Sequence, residues 1–392
     1  MVAHPELRKR VAGILPDVVS MRHALHRIPE THFQERETSA AIRRFLSGSS
    51  LKVLPPLLQT DTVGLLEGKS DGPCILLRSD IDALPVDERS GAAWSSERPG
   101  RAHSCGHDGH MAILLGTARV LETFSGEISG SVRFVFQPAE EEAAGGKALI
   151  DKGLLDLAPR PSVAYALHGW PGVPVGCVSA APGPAMAEAD TFRITVRGKG
   201  GHDAAPHHAL DPVLTAAQVV TSLQSVVSRS MDPQDSVVLS ICHIEGGKAS
   251  NVIPDEVVLE GTTRYFDRSL QPLLRDRIQR TLDGVCSAAG CRGEMTYDAG
   301  YVPLINHAPA VDFARNVVTS YLGAAGWFAD HRASMAAEDF AYYLEQVPGA
   351  LLRLGLGEEW PPLHTAAFDF NDRSLETGIV TLAGLALEHC RS

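Results

Sequence analysis

Long apolar runs, net positive charge and paired cysteines are all missing from this chain of 392 residues. No stretch of about 20 apolar residues is present to span a bilayer. The net charge of −12 argues against a nucleic-acid or anionic-membrane partner, so a small molecule is the better default ligand. Seven cysteines, odd in number and scattered, are poor material for a disulfide framework and suit a reducing compartment. Arg8, Lys9 and Arg10 precede only a short apolar run that Pro16-Asp17 interrupts, so no secretory signal is read and a cytoplasmic location is expected. Internal repeats and low-complexity segments are absent too. What is there is ordinary for a globular protein: 44% hydrophobic and 21% charged residues, with length enough for two domains.

Strands and helices alternate along the chain. Apolar spacing predicts helices at 18–27 and 35–46, then buried strands at 62–67 and 74–79. Strands at 132–137 and 162–168 follow, with helices at 109–124 and 143–152. This alternation implies an α/β domain layered around a mainly parallel mixed sheet, with ligands beyond the carboxyl ends of the strands. Asp80 and Asp82 follow one strand, Glu140 and Glu141 another, and His168 closes a third. The Pro/Gly-rich segment 180–184 marks a boundary. Beyond it come strand 191–197, helix 211–229, strands 237–244 and 256–264, helix 269–288 and strand 294–298, the β-α-β-β-α-β order of a ferredoxin-like unit. Past Gly300 the α/β pattern resumes, with helices at 311–322 and 338–346, a strand at 350–355 and a last helix after Asp372. The expected organisation is a discontinuous catalytic domain, 1–184 and 300–392, with a ferredoxin-like α+β domain inserted at 185–299.

The densest chemistry lies in His103-Ser104-Cys105-Gly106-His107-Asp108-Gly109-His110. Thiolate and neutral imidazole bind borderline divalent ions, and the two glycines let a tight loop close around one; the plainer reading is a polar loop with solvated histidines. Gln137-Pro138-Ala139-Glu140-Glu141-Glu142 sets adjacent carboxylates at a strand end, where one can ligate a metal while its neighbour moves a proton. By themselves these acids also suit a helix N-terminus. His168 and His364 are each unremarkable alone. Together, Cys105, His107, Glu141, His168 and His364 would supply five ligands with two negative charges, leaving two divalent ions with residual positive charge.

Seven ordered motifs carry a resemblance. Leu25-His26-Arg27-Ile28-Pro29-Glu30, Arg78 to Pro85, the Cys105 cluster, Phe136 to Glu141, Gly198-Lys199-Gly200-Gly201-His202, Asn251-Val252-Ile253-Pro254 and Glu338-Asp339-Phe340 resemble the hippurate hydrolase and N-acyl-amino-acid amidohydrolase group. That group belongs to the aminoacylase and zinc carboxypeptidase metallohydrolases. The resemblance implies two divalent ions, zinc, manganese, cobalt or nickel, with Cys105 between them and His107, Glu141, His168 and His364 completing the set. It implies Glu140 as general base and acid. Asp82 and Asp108 become candidates for fixing histidine tautomers, with loop capping as the alternative. In the inserted domain it implies His202 as oxyanion donor to a partner subunit, Asn251 and Arg264 as holders of a substrate carboxylate, and hence a lid that also forms a homodimer. The expected reaction is hydrolysis of an N-acyl-L-amino acid. A carboxypeptidase or dipeptidase and a metal-bearing binding protein without turnover are the alternatives. Asp80-Ile81-Asp82, where the wider family has His-x-Asp, fits the hippurate hydrolase branch.

Overall fold

The computed structural model describes residues 3–329 and 332–391. They fall into two compact units, one of Met1–Ala185, Ile305–Arg332 and Asp339–Ser392, the other of Met186–Leu304 and Ala333–Glu338.

The first unit is built on a seven-stranded sheet, in the order Lys52–Val53, Thr62–Glu67, Ser129–Gln137, Ser70–Asp80, Val163–Pro171, Gly349–Gly357 and Val178–Ser179. The four strands from Ser129–Gln137 to Gly349–Gly357 run parallel, and the flanking pairs are antiparallel. The run Cys74-Ile75-Leu76-Leu77 lies in a central strand and is wholly buried, as a parallel strand covered on both faces must be. Helix His107–Glu122 is buried at all but two of its 16 residues, so it is an interior helix. Helices Leu7–His26 and Leu375–His389 pack against it. Asp80, Gln137 and His168 all fall at or near the carboxyl ends of parallel strands, on one rim of the sheet.

Three helices differ from the sequence expectation. The first begins at Leu7 and continues through Pro16, because buried Val11, Val18 and Leu25 on either side of the proline outweigh its missing N–H. The segment expected as one helix at 143–152 is Glu140–Ala143 and Gly145–Asp151, divided by Ala144 at φ 48°. Of the helix expected at 338–346, only the turn Ala341–Leu344 forms, since tertiary partners hold the Asp339 side chain.

In the second unit an antiparallel sheet runs in the order Val237–Gly246, Glu256–Tyr265, Glu188–Arg197 and Arg292–Tyr301. Glu188–Arg197 alternates buried and accessible residues, so one face is covered. Its cover is helices Pro212–Ser230 and Leu270–Ala288, which supply Val219, Leu223, Ile278 and Leu282 to a core with Phe192, Ile194, Val196 and Leu259. Asp211 caps the first helix by accepting the Val213 and Leu214 N–H groups, and Pro212 opens its first turn.

Candidate metal centre

Cys105 sits in the loop that enters helix His107–Glu122. Gly106 stands at φ 87°, and a Cβ there would lie 3.0 Å from Phe370, so the turn requires glycine. The Ser104 carbonyl accepts the His364 N–H at 2.8 Å, which ties a distant loop to this one. His364 has φ 60° and Ala139, just ahead of the glutamate pair, φ 57°, so strained backbone borders the cluster on two sides.

The side chains converge. His364 Nε2 is 3.3 Å from both Cys105 Sγ and Glu141 Oε1, and His168 Nε2 is 3.5 Å from Cys105 Sγ. His107 donates from Nδ1 to the Asp82 carbonyl at 2.9 Å, which leaves Nε2 turned inward, 3.8 Å from Glu141 Oε1. Asp82 Oδ2 also accepts the Glu141 N–H at 3.0 Å. Cys105 with His107 and His168, and Cys105 with Glu141 and His364, form two groups whose candidate ligand atoms each lie within 4.8 Å of one another. The thiol is common to both.

These residues fit a pair of cations. His107 Nε2 and Glu141 Oε1 are buried without a hydrogen-bond partner, an arrangement that is costly unless an ion binds there. Burial, then Glu141, Glu140 and Asp80, pushes the Cys105 thiol well above its ordinary range. Burial opposes charge on His107, but Asp80, Asp82 and Glu141 outweigh it and push the imidazole up to about 10. Burial lowers His168 well below its ordinary range and keeps it in the neutral form that ligates. Such a concentration of negative charge calls for positive charge at its centre.

Asp108 is placed beside a histidine outside the candidate ligand set. Its Oδ2 accepts from His26 Nδ1 at 2.8 Å and from Arg22 Nη1 at 3.1 Å, not from a histidine of the cluster. One residue along a helix from His107 turns the side chain by about 100°, toward the interior beneath the loop. Glu140 is 6% exposed, and its Oε1 receives the Asp339 N–H at 3.4 Å.

In the second unit, His202 and Asn251 are neighbours: His202 pairs with Val252 across two short strands, and the Asn251 carbonyl accepts the Asp203 N–H. The His202 side chain is 69% exposed, with Nδ1 2.7 Å from Asp203 Oδ1. Arg264 stands on a different strand and donates to the Met335 carbonyl at 2.9 Å.

Residues 76–388 match the peptidase family M20/M25/M40. The chain belongs to that family. Among its M20 relatives, N-acetylcysteine deacetylase of Bacillus subtilis (strain 168) is 36% identical over 94% of this chain and 96% of its own length. An N-acyl-L-amino acid amidohydrolase of Geobacillus stearothermophilus is 38% identical over 77% of this chain and 81% of its own. The crystal structure of the Bacillus subtilis YXEP protein, described as a dinuclear metal binding peptidase from the M20 family, superposes with a TM-score of 0.83 at 31% identity, covering 97% and 99% of the two chains.

Arg78, Asp80, His110 and Asp339, for which no role of their own is expected from sequence, are buried and linked by hydrogen bonds close to the candidate ligands. A signal was available in the three-residue step from His107 to His110, which sets both imidazoles on one helix face. The same holds of Glu35, whose Oε1 accepts the Phe33 and Ala139 N–H groups beside the glutamate pair.

Proposed function

We propose that this M20 protein hydrolyses the amide of N-acyl-L-amino acids, acetyl or aroyl, to a carboxylate and a free amino acid. The observation that carries the reading is the pair of donor groups sharing Cys105, with Glu140 beside them. In this reading Cys105, His107, Glu141, His168 and His364 hold two divalent ions, zinc, manganese, cobalt or nickel. Bound there, the ions supply Lewis acidity, lowering the pKa of water and offsetting charge on the scissile carbonyl oxygen. Glu140 takes the proton of the attacking water and returns it to the leaving nitrogen as the C–N bond breaks. Asp82 supports the role of His107 by fixing its tautomer.

The second unit, 185–299 in this reading, is the inserted ferredoxin-like lid and dimerisation domain. Its accessible edge strand Val237–Gly246 and the exposed Val213, Leu214, Ile244 and Val252 support a homodimer. His202, whose Nδ1 accepts the Ala204 N–H so that the ring proton is on Nε2, donates from Nε2 to the oxyanion in a partner subunit, and Asn251 and Arg264 hold the substrate carboxylate. Seven free cysteines support a cytoplasmic location.

The test is turnover of the metal-reconstituted protein on N-acetyl amino acids, hippurate and dipeptides. N-acyl amino acids are expected to be the best substrates, and Glu140→Gln is expected to lose about 10²–10⁴-fold in kcat while keeping its metal. Preference for dipeptides would replace the reading by a peptidase; full activity of Glu140→Gln would remove the assigned base.

A further inference from the structure

Asp80, His107 and His110 place candidate ligand atoms within 4.8 Å of one another, so they look like a further metal group. The hydrogen bonds say otherwise. The His110 Nε2 accepts the Gly169 N–H at 2.8 Å, so the ring proton is on Nδ1, which is 2.7 Å from Asp80 Oδ1. Neither nitrogen is left for an ion. Asp80 Oδ2 accepts from Arg78 Nη1 at 2.8 Å, so both of its oxygens are engaged.

From Arg78 the chain of bonds continues. Its Nη2 donates to Asp339 Oδ1 at 2.8 Å, and its Nε donates to Gln137 Oε1 at 2.9 Å. Gln137 Nε2 donates to Asp339, and the Gly146 N–H donates to Asp339 Oδ2 at 2.7 Å. A Cβ on Gly146 would lie 3.1 Å from the Asp339 carboxyl carbon and 2.9 Å from Gln137 Oε1, so only glycine admits this close approach. The Asp339 N–H then reaches Glu140 Oε1. Arg78, Asp80, His110, Gln137 and Asp339 are all buried. A continuous polar path therefore leads from the backbone beside His168 to the Glu140 carboxylate. A buried path of this kind is stable only with every partner in place, and it fixes geometry at both ends.

We propose that Arg78, Asp80, His110 and Asp339 form one positioning frame, holding His168 on one side of the metal centre and Glu140 on the other, with neither Asp80 nor His110 a ligand. The inference rests on the metallohydrolase reading above. Its test compares wild type with His110→Gln, Asp339→Asn and the double variant. Three quantities are measured: zinc per chain at saturation, zinc affinity by chelator competition, and kcat and KM on the best substrate. His110→Gln keeps an acceptor for Gly169 and loses the Asp80 bond. The expected result is wild-type zinc content at saturation, with zinc affinity or kcat lowered about 10–100-fold and KM little changed. The double variant is expected to be no worse than the more harmful single, because one frame is broken in either case. Loss of an ion at saturation would make His110 a ligand and overturn the proposal. So would losses that multiply in the double variant, or wild-type affinity and kcat in both singles. Asp80→Asn carries the same expectations and serves where Asp339→Asn does not fold. If wild type turns over no substrate, the functional reading fails, while zinc content and affinity still decide the frame.

Discussion

In the first unit the largest fully buried side chains include three arginines, Arg22, Arg78 and Arg133. In the second unit Arg193 and Arg197 stand at the surface, half-exposed, facing Glu260, Glu256 and Glu294. The residue types are the same and the physics is opposite. A buried guanidinium loses its hydration and persists only where carboxylates or carbonyls replace it, whereas a surface pair gives up little and gains little. Arg22 meets Asp108, Asp369 and Asp372, and Arg78 meets Asp80 and Asp339. Asp108 follows the candidate ligand His107 in sequence, and Asp80 lies within 4 Å of the His107 ring. Arg22 and Arg78 are thus held by carboxylates away from water, whereas Arg193 and Arg197 pair on an accessible face of the second unit's sheet.

The largest expected effect follows from breaking the deepest of these contacts. Arg22→Met removes the cation that faces three carboxylates and leaves buried Asp108 with His26 alone among its named cationic partners. The expected cost is about 3–5 kcal/mol of unfolding free energy, measured by denaturant titration. A loss below about 1 kcal/mol would place Arg22 with the surface arginines and break the comparison.

What the sequence disclosed divides along the same line. The central strands were legible because an unbroken apolar run such as Cys74 to Leu77 has few alternatives to a buried strand, and the order of strands and helices between 188 and 301 because their periods change cleanly. The five convergent ligand candidates were legible because thiol, imidazole and carboxylate have a shared chemistry toward borderline divalent ions. The buried charge contacts were not, because nothing local marks them. Arg22 lies 347 residues from Asp369, and Arg78 lies 261 from Asp339. The same long-range claim on Asp339 shortened the expected helix after Glu338, which local propensity alone favoured. His110 and His107 share one helix face with identical chemistry; only the partners of each ring nitrogen separate a strut from a candidate ligand.

A smaller effect is expected from Glu35, a buried carboxylate with no ion-pair partner among the described residues. Burial, with Asp82 adding to it, pushes Glu35 from 4.5 up to about 7, against the lowering by its hydrogen bonds. The folded state thus binds the Glu35 proton more tightly than the unfolded state. Its contribution is fully present below about pH 4.5 and is lost as pH rises toward 7. Glu35→Gln retains an oxygen for the Phe33 and Ala139 N–H groups and carries no charge. It is expected to be more stable than wild type by on the order of 2–3 kcal/mol at pH 8, with a smaller gain at pH 5. Thermal unfolding at both pH values checks this, and an equal gain at both would remove titration of Glu35 as the cause.

The smallest effect is expected in the second unit. Arg193 lies directly across from Glu260 on the neighbouring strand, and their side chains are 53% and 44% exposed. Water and salt screen such a pair, and holding two long side chains together costs rotamer entropy that offsets most of the attraction. Arg193→Ala is expected to cost about 0.2–1 kcal/mol at low salt, and less still at ~1 M salt, where the screening length falls to about 3 Å. The measurement is denaturant unfolding at the two ionic strengths. A loss above about 2 kcal/mol that salt leaves untouched would mean that Arg193 is held as Arg22 is, by contacts shielded from water, and the contrast between the two units would no longer stand.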